Sequence, residues 1–242
     1  GKTTLLEALA GMVPPAAGSV IHDGRVLGRR QLPEAGAVGI AFQSPEDCLF
    51  AGTVFDDVAF GPRRLGLAAG EVERRAVSSL EAVGLNPVAF GPRHPFGLSA
   101  GEQRRVALAG VLSLEPRALL LDEPTAYLDA AAALDIGENL LALSRDRGIT
   151  LVVAGHDADE MARQAARVVV LDNGLIAGDG PAEEILADVE LLSRHGLEPP
   201  ATVELGRLLA GTVGKGMTAL FGEDEALEEL LTAAGRPGAG GG

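Results

Sequence analysis

Short apolar runs and stretches with helical spacing follow one another along the chain. The runs at residues 38–42, 118–121 and 149–154 are almost entirely apolar, and such runs are typical of strands buried on both faces of a sheet. Apolar positions at helical spacing predict helices within residues 3–11, 70–84, 99–114 and 130–147. Alternating strands and helices indicate an α/β fold.

Turn and cap residues divide these segments. Asp23-Gly24 and Asn173-Gly174 each separate two short apolar stretches, which predicts two β-hairpins. Ser99 is a favourable N-cap, and Glu102 places an acid in the first turn of the helix that follows. Towards the end of the chain we expect helices at residues 181–186, 203–209 and 224–231 and a disordered Gly-rich tail at residues 235–242.

Two adjacent carboxylates, Asp122 and Glu123, follow the apolar run at residues 118–121. Taken alone, they are equally typical of a solvated turn at the end of a strand. At the carboxyl end of a buried strand, however, two carboxylates are costly unless they meet a cation or a reacting water.

The first four residues decide between these interpretations. Gly1, Lys2, Thr3 and Thr4 match the end of the phosphate loop G-x-x-x-x-G-K-[ST]. In such a loop, backbone N–H groups and a helix N-terminus hold phosphates, the lysine reaches the β- and γ-phosphates, and the hydroxyl binds Mg²⁺. Together with the paired carboxylates, this loop predicts a nucleotide hydrolase.

Further motifs extend the pattern. They are Gln43, LSAGE at residues 98–102, ALLLDEP at residues 118–124, AYLD at residues 126–129 and His156. In order and spacing this set resembles an ATP-binding-cassette (ABC) ATPase, and LSAGE is similar to the family signature LSGGQ. Ala100 and Glu102 depart from that signature, and Tyr127 stands where Gly or Ser is more common.

Residues 43–67 narrow the resemblance. QSPEDCLFAGTVFDDVAFGPRRLGL is similar to a pattern of the energy-coupling-factor ATPases, which include the cobalt and nickel importer type. The resemblance implies an α/β cassette with a parallel core sheet, an antiparallel edge portion and a helical subdomain at about residues 44–110. We expect the cassette to occupy residues 1–190, followed by a C-terminal helical extension at residues 191–234.

The resemblance also implies a role for each candidate residue. ATP would be bound by Gly1, Lys2, Thr3 and Thr4 and, across a dimer, by Ser99, Ala100, Gly101, Glu102 and Asp129. Mg²⁺ would be bound by Thr3, Gln43 and Asp122. Glu123 would act as general base on the attacking water, while Gln43 would help to position that water and His156 would contact the γ-phosphate.

The implied partners are a second cassette, in a homodimer or a heterodimer, an integral membrane coupling subunit and a substrate-binding membrane subunit. The chain would then lie at the cytoplasmic face of the cell membrane and power uptake of a transition-metal ion, such as cobalt or nickel, or of a vitamin. The resemblance also implies that four features of the family would precede Gly1. They are the start of the phosphate loop, the strand that leads into it, the first edge strands and the aromatic residue that stacks on adenine.

Composition sets limits on this hypothesis. The 242 residues carry a net charge of −14, which argues against nucleic-acid binding, since such binding relies on neutralising phosphates. No apolar run approaches the roughly 20 residues that span a bilayer, so transport requires separate membrane subunits. The single Cys48 excludes an internal disulfide framework and suits a reducing compartment.

Two alternatives remain at this level. One is an ABC ATPase without a transporter, acting in translation or DNA repair. The other is a catalytically weak regulatory partner in a heterodimeric cassette pair. The acidic charge argues against the first, and the presence of both Glu123 and His156 argues against the second.

Overall fold

The computed structural model describes residues 1–27, 33–42, 44, 48–126, 128 and 130–213. Two predicted site residues, Gln43 and Asp129, lie outside the described residues, as do the predicted helix at residues 224–231 and the Gly-rich tail. The chain forms two compact units, Gly1–Gly155 and His156–Gly242.

The first unit contains six helices and five strands among its described residues. In chain order they are α1 (Lys2–Leu9), β1 (Val20–His22), β2 (Arg25–Leu27), β3 (Val38–Ala41), α2 (Val54–Arg64), α3 (Ala69–Ala82), α4 (Pro87–Phe90), α5 (Ala100–Leu112), β4 (Ala118–Asp122), α6 (Ala130–Arg147) and β5 (Thr150–Ala154), with a short 3₁₀ helix at Pro95–Gly97. The predicted strands and helices of this part of the chain are therefore present.

A parallel sheet in the order β3-β4-β5 forms the centre of the first unit. In the central strand β4, Leu121 pairs with Ala41 on one side and with Val153 on the other. Leu119 and Leu121 are almost completely buried, which explains why this strand is an unbroken apolar run. The parallel order brings the carboxyl ends of all three strands to one edge.

Helices α2, α3 and α5 pack against one another and against this sheet through a shared apolar core. Val58, Ala76 and Leu112 are completely buried within it. Thr53 caps α2 by accepting a hydrogen bond from the Asp56 N–H, and that cap satisfies an N–H group that the helix itself leaves unpaired.

Helix α5 ends at Leu112, two residues earlier than the apolar pattern predicts. The buried Ser113 hydroxyl donates to the carbonyl oxygens of Val58 and Gly110 at 2.8 and 2.7 Å. Glu115 then adopts a left-handed conformation with φ +53° and turns the chain towards β4. The helical segment thus ends before Glu115-Pro116, since proline disfavours a helical conformation in the residue before it, and Ser113 ties this end to α2.

The second unit consists of α7 (Ala158–Gln164), β6 (Arg167–Asp172), β7 (Leu175–Pro181), α8 (Ala182–Ala187), α9 (Val189–Arg194) and α10 (Ala201–Val213). Strands β6 and β7 form an antiparallel pair. Asn173 and Gly174 have φ values of +48° and +80°, as a two-residue hairpin turn requires. Asp23 and Gly24 also have positive φ values, in the turn between β1 and β2. Both predicted hairpins are therefore confirmed.

In the described part of the chain, no helix is both long enough and apolar enough to cross a membrane.

Candidate active site

The start of α1 lies against the carboxyl end of β4. Helix α1 begins at Lys2, with Gly1 as its N-cap, and β4 ends at Asp122. The Thr3 hydroxyl donates a hydrogen bond to Asp122 Oδ2 at 2.5 Å. The two residues are 119 positions apart in sequence, so this contact is a product of the fold. It joins the two motifs that the sequence predicts to work together.

Lys2 connects the ends of β4 and β5. Its Nζ donates to the carbonyl oxygen of Gly155 at 3.0 Å and lies 3.5 Å from Glu123 Oε1. The Lys2 side chain keeps 38% of its surface exposed and the Glu123 side chain 19%. The ammonium group therefore offsets the negative charge at this edge of the sheet and still faces solvent, from which an anionic ligand can approach.

Glu123 has an unusual backbone conformation. Its φ of +48° lies in the left-handed region, which non-glycine residues seldom adopt and which is found at functional sites more often than elsewhere. The Glu123 N–H donates to the Ala154 carbonyl oxygen at 2.8 Å. This bond ties the residue after β4 to the last residue of β5.

Thr3 and Asp122 form an oxygen pair that fits Mg²⁺. Asp122 is 5% exposed, and a carboxylate this buried needs a hydrogen bond or a cation. Mg²⁺ in nucleotide sites is usually held by one or two protein oxygens together with phosphates and water. The oxygens of Thr3 and Asp122 therefore suit an ion that arrives with the nucleotide.

The signature residues at positions 99–102 start α5. Ser99 is the N-cap, and it forms a capping box with Glu102: the Glu102 N–H donates to Ser99 Oγ at 3.3 Å, and the Ser99 N–H donates to Glu102 Oε2 at 2.8 Å. The hydrogen bond from the Ser99 N–H lowers the pKa of Glu102. In the described part of the chain, these side chains bond to each other and not to the group Lys2, Thr3, Asp122 and Glu123.

The remaining predicted residues occupy different places. Gly1 and Thr4 are exposed at the start of α1, beside Lys2 and Thr3. Ala100 and Gly101 are the first two residues of α5. His156 is exposed and is the first residue of the second unit, so its role stays a prediction.

Arg104 contacts the loop next to the site, and the sequence motifs do not point to it. It is 8% exposed, and its guanidinium donates to the carbonyl oxygen of Ala126, which holds the loop after Glu123 against α5. The sequence does indicate that Arg104 is buried, because it lies four residues before Leu108 on a buried helix face. A charged residue in an apolar register usually has a specific partner.

This geometry defines a class of protein. A lysine and a hydroxyl at the start of a helix, placed against paired carboxylates at the end of a buried parallel strand, form the phosphate site of a nucleotide hydrolase. The family pattern described as "ABC transporter" matches residues 1–126. The chain belongs to this family and is an ATPase.

Two similar proteins support the subtype. The chain is 45% identical over 208 residues to the energy-coupling factor transporter ATP-binding protein EcfA2 of Symbiobacterium thermophilum, a match that covers 85% of the chain and 72% of that protein. It is 36% identical over 234 residues to EcfA2 of Clostridium perfringens, covering 96% of the chain and 82% of that protein. The chain is therefore an ATPase of the energy-coupling-factor type.

Solved structures show the same fold. The structure of cbiO1 from Clostridium perfringens, described as part of the ABC transporter complex cbiONQ, superposes with a TM-score of 0.71 at 31% identity and covers 85% of the chain and 82% of that protein. A dimeric ATP-binding cassette in a post-hydrolysis state, bound to ADP and phosphate, superposes with a TM-score of 0.67 at 26% identity, covering 75% and 81%. The expected α/β cassette fold is confirmed.

Proposed function

We propose that this chain is the ATP-hydrolysing subunit of an importer that takes up a micronutrient, either a transition-metal ion such as cobalt or nickel or a vitamin, through separate membrane subunits. The observation that carries the catalytic part is the convergence of Lys2, Thr3, Asp122 and Glu123 at one edge of the sheet. The relatives named as energy-coupling factor transporter ATP-binding proteins support the transport part.

In this proposal each residue has a distinct task. Lys2 binds the β- and γ-phosphates, and its charge offsets theirs. Thr3, Asp122 and Gln43 hold Mg²⁺, which would neutralise phosphate charge when it is bound with the nucleotide. Glu123 accepts a proton from the attacking water as general base, and His156 contacts the γ-phosphate.

The contact between Lys2 and Glu123 suggests how binding prepares the base. The ammonium group lies 3.5 Å from Glu123 Oε1, the kind of oxygen that a general base must offer to water. Phosphates are stronger partners for an ammonium group than one partly exposed carboxylate. ATP would therefore attract Lys2 away from Glu123.

The proposed assembly is a head-to-tail dimer with a second cassette, identical or different. Ser99 and the N–H groups at the start of α5 would face the γ-phosphate held by the other chain, since a helix N-terminus favours an anion. Gly101 and Asp129 would belong to the same surface. The surface around residues 43–60 would contact an integral membrane coupling subunit, and the chain would then lie at the cytoplasmic face of the membrane.

Replacing Glu123 by Gln tests the catalytic assignment. The amide keeps the size of the side chain but cannot accept the proton, and loss of a general base typically lowers turnover by about 10²–10⁴-fold. We expect kcat to fall by that factor while ATP binding is retained, as measured by steady-state hydrolysis and nucleotide titration. Loss of binding together with turnover would show that Glu123 is structural.

Purification from membranes tests the transport assignment. Glu123-dependent hydrolysis by a preparation that contains a small integral membrane protein would support the importer. Hydrolysis with ribosomes or DNA in place of a membrane protein would favour the ABC ATPase without a transporter. A wild-type chain without hydrolysis in the complete assembly would favour the regulatory partner.

A further inference from the structure

Asp159 lies in the first turn of α7, three residues after His156. The neighbouring Asp157 caps this helix, since its side chain accepts the Glu160 N–H at 3.0 Å. Helix α7 therefore has its own N-cap, and Asp159 has a different partner.

The partner of Asp159 is the first residue of α10. Asp159 Oδ1 accepts a hydrogen bond from the Ala201 N–H at 2.8 Å, across 42 positions of sequence. An N–H at a helix start has no acceptor within its own helix, and a carboxylate there also interacts favourably with the helix dipole. A single carboxylate thus lies at the N-termini of two helices, α7 and α10.

Apolar contacts hold the start of α10 in the same place. Pro200 is buried, and Val203 is 2% exposed. Ala201 is itself exposed, but the buried Pro200 and Val203 flank it and hold the backbone on both sides of the N–H that Asp159 binds. A displacement of α10 must therefore either break the bond to Asp159 or move the first turn of α7.

A second contact fixes the position of the segment that precedes α10. His195 ends α9, and its Nδ1 lies 2.9 Å from Oδ2 of Asp172 at the end of β6. Leu192 of α9 is 1% exposed. The segment between β7 and α10 is thus held by the packing of α8 against β6, β7 and α7, by the contact of His195 with Asp172 and, at its end, by the bond from Ala201 to Asp159.

We propose that Asp159 is a positioning residue that couples the C-terminal helix α10 to His156 through the first turn of α7. In this view the placement of α10 determines how the His156 loop is held, so anything that displaces α10 changes hydrolysis without changing the binding of ATP. The inference rests on the proposed role of His156, whereas nucleotide binding is assigned to Lys2 and Thr3 in the first unit.

Three variants of the full chain test this coupling. Asp159→Ala removes the acceptor, Asp159→Asn keeps an oxygen acceptor without the charge, and Glu183→Ala removes an exposed acid from the first turn of α8. Hydrolysis gives kcat and KM, titration with a fluorescent ATP analogue gives Kd, and hydrogen exchange reports on residues 156–164.

We expect Asp159→Ala to lower kcat by roughly tenfold, a usual size for coupling between two sites, with Kd changed less than twofold and with faster exchange at residues 156–164. Asp159→Asn should recover most of kcat, and Glu183→Ala should match the wild type. Unchanged kcat in Asp159→Ala, or equal losses of kcat and of ATP affinity, would overturn the proposal.

Failure of the proposed function gives a different result. If the wild-type chain does not hydrolyse ATP in any assembly, the catalytic assignment is wrong. The hydrogen-exchange experiment then still tests the coupling between α10 and the first turn of α7. Faster exchange at residues 156–164 in Asp159→Ala alone would support it, and unchanged exchange would overturn it.

Discussion

Thr3 shows how one side chain links two motifs. Its hydroxyl bonds to a carboxylate oxygen of Asp122 that is almost entirely shielded from solvent. A hydrogen bond to a charged group contributes about 1.5–3 kcal/mol, and loss of the hydroxyl would leave the buried oxygen without this donor. Thr3 thus helps to orient Asp122.

Replacing Thr3 tests the proposed Mg²⁺ site. Thr3→Ala removes the oxygen, and we expect the affinity for ATP in the presence of Mg²⁺ to fall by about tenfold, following the energy of such a bond. Affinity measured with EDTA should change little, because the ion is then absent for both proteins. Thr3→Ser keeps the hydroxyl and is the matched control; the same loss in both variants would contradict a metal-binding role.

At the scale of single elements, the start of α5 combines stability with the proposed function. Ser99 and Glu102 satisfy each other's backbone N–H groups, which otherwise remain unpaired at a helix N-terminus. The residues that start this helix are also the signature residues proposed to face ATP in a dimer. A change at Ser99 therefore affects both properties and needs a control for each.

Ser99→Ala should destabilise the chain by about 1 kcal/mol, the usual cost of a lost N-cap. Chemical denaturation with urea measures this change. Glu102→Gln keeps a side chain that can accept the Ser99 N–H, so it should cost less at neutral pH. Equal losses in both variants would show that the capping box is not the source of the stability.

The pH dependence of Glu102 gives a second test of the same cap. Its pKa is lowered in the folded chain by the hydrogen bond from the Ser99 N–H. Ionised Glu102 therefore stabilises the fold when the pH is above the pKa that Glu102 has in the unfolded chain. This stabilisation is lost as the pH falls through the lower pKa that Glu102 has in the folded chain. The gap in unfolding free energy between wild type and Glu102→Gln should therefore narrow below about pH 4.

At the scale of the whole molecule, the proposed site is incomplete in a single chain. The group around Lys2 and Asp122 and the capping box at Ser99 do not bond to each other in the described part of the chain. A dimer that joins one group to the other across its interface would complete the site. Two strongly acidic chains, each with a net charge of −14, repel each other unless specific contacts outweigh that charge.

ATP should therefore control association. We expect Glu123→Gln to form a dimer in the presence of ATP and Mg²⁺, because bound ATP persists when hydrolysis is blocked, and light scattering after size exclusion measures the mass. Ser99→Arg in the same background should remain monomeric, since its long side chain would block the close approach of Ser99 to the γ-phosphate that the proposal requires. A Glu123→Gln protein that stays monomeric at saturating ATP would contradict the head-to-tail arrangement.

Local features of the fold followed from the sequence because they depend on neighbouring residues. The turns at Asp23-Gly24 and Asn173-Gly174 have the left-handed backbone that their residues favour, and the cap at Ser99 is present. The bond that ties the end of α5 to α2 could not be predicted, since it joins Ser113 to the distant Val58. The partner of Arg104 is likewise set by packing.

The sequence by itself determined the residue types of the proposed site, the family and the order of strands and helices, since motif spacing, periodicity and turn chemistry are local properties. Only the tertiary structure decided which ends meet: Thr3 with Asp122, Lys2 with Gly155 and Asp159 with Ala201. Strand order and helix packing bring these atoms together across 119, 153 and 42 positions, and hydrophobic periodicity specifies which face is buried but not what it is buried against.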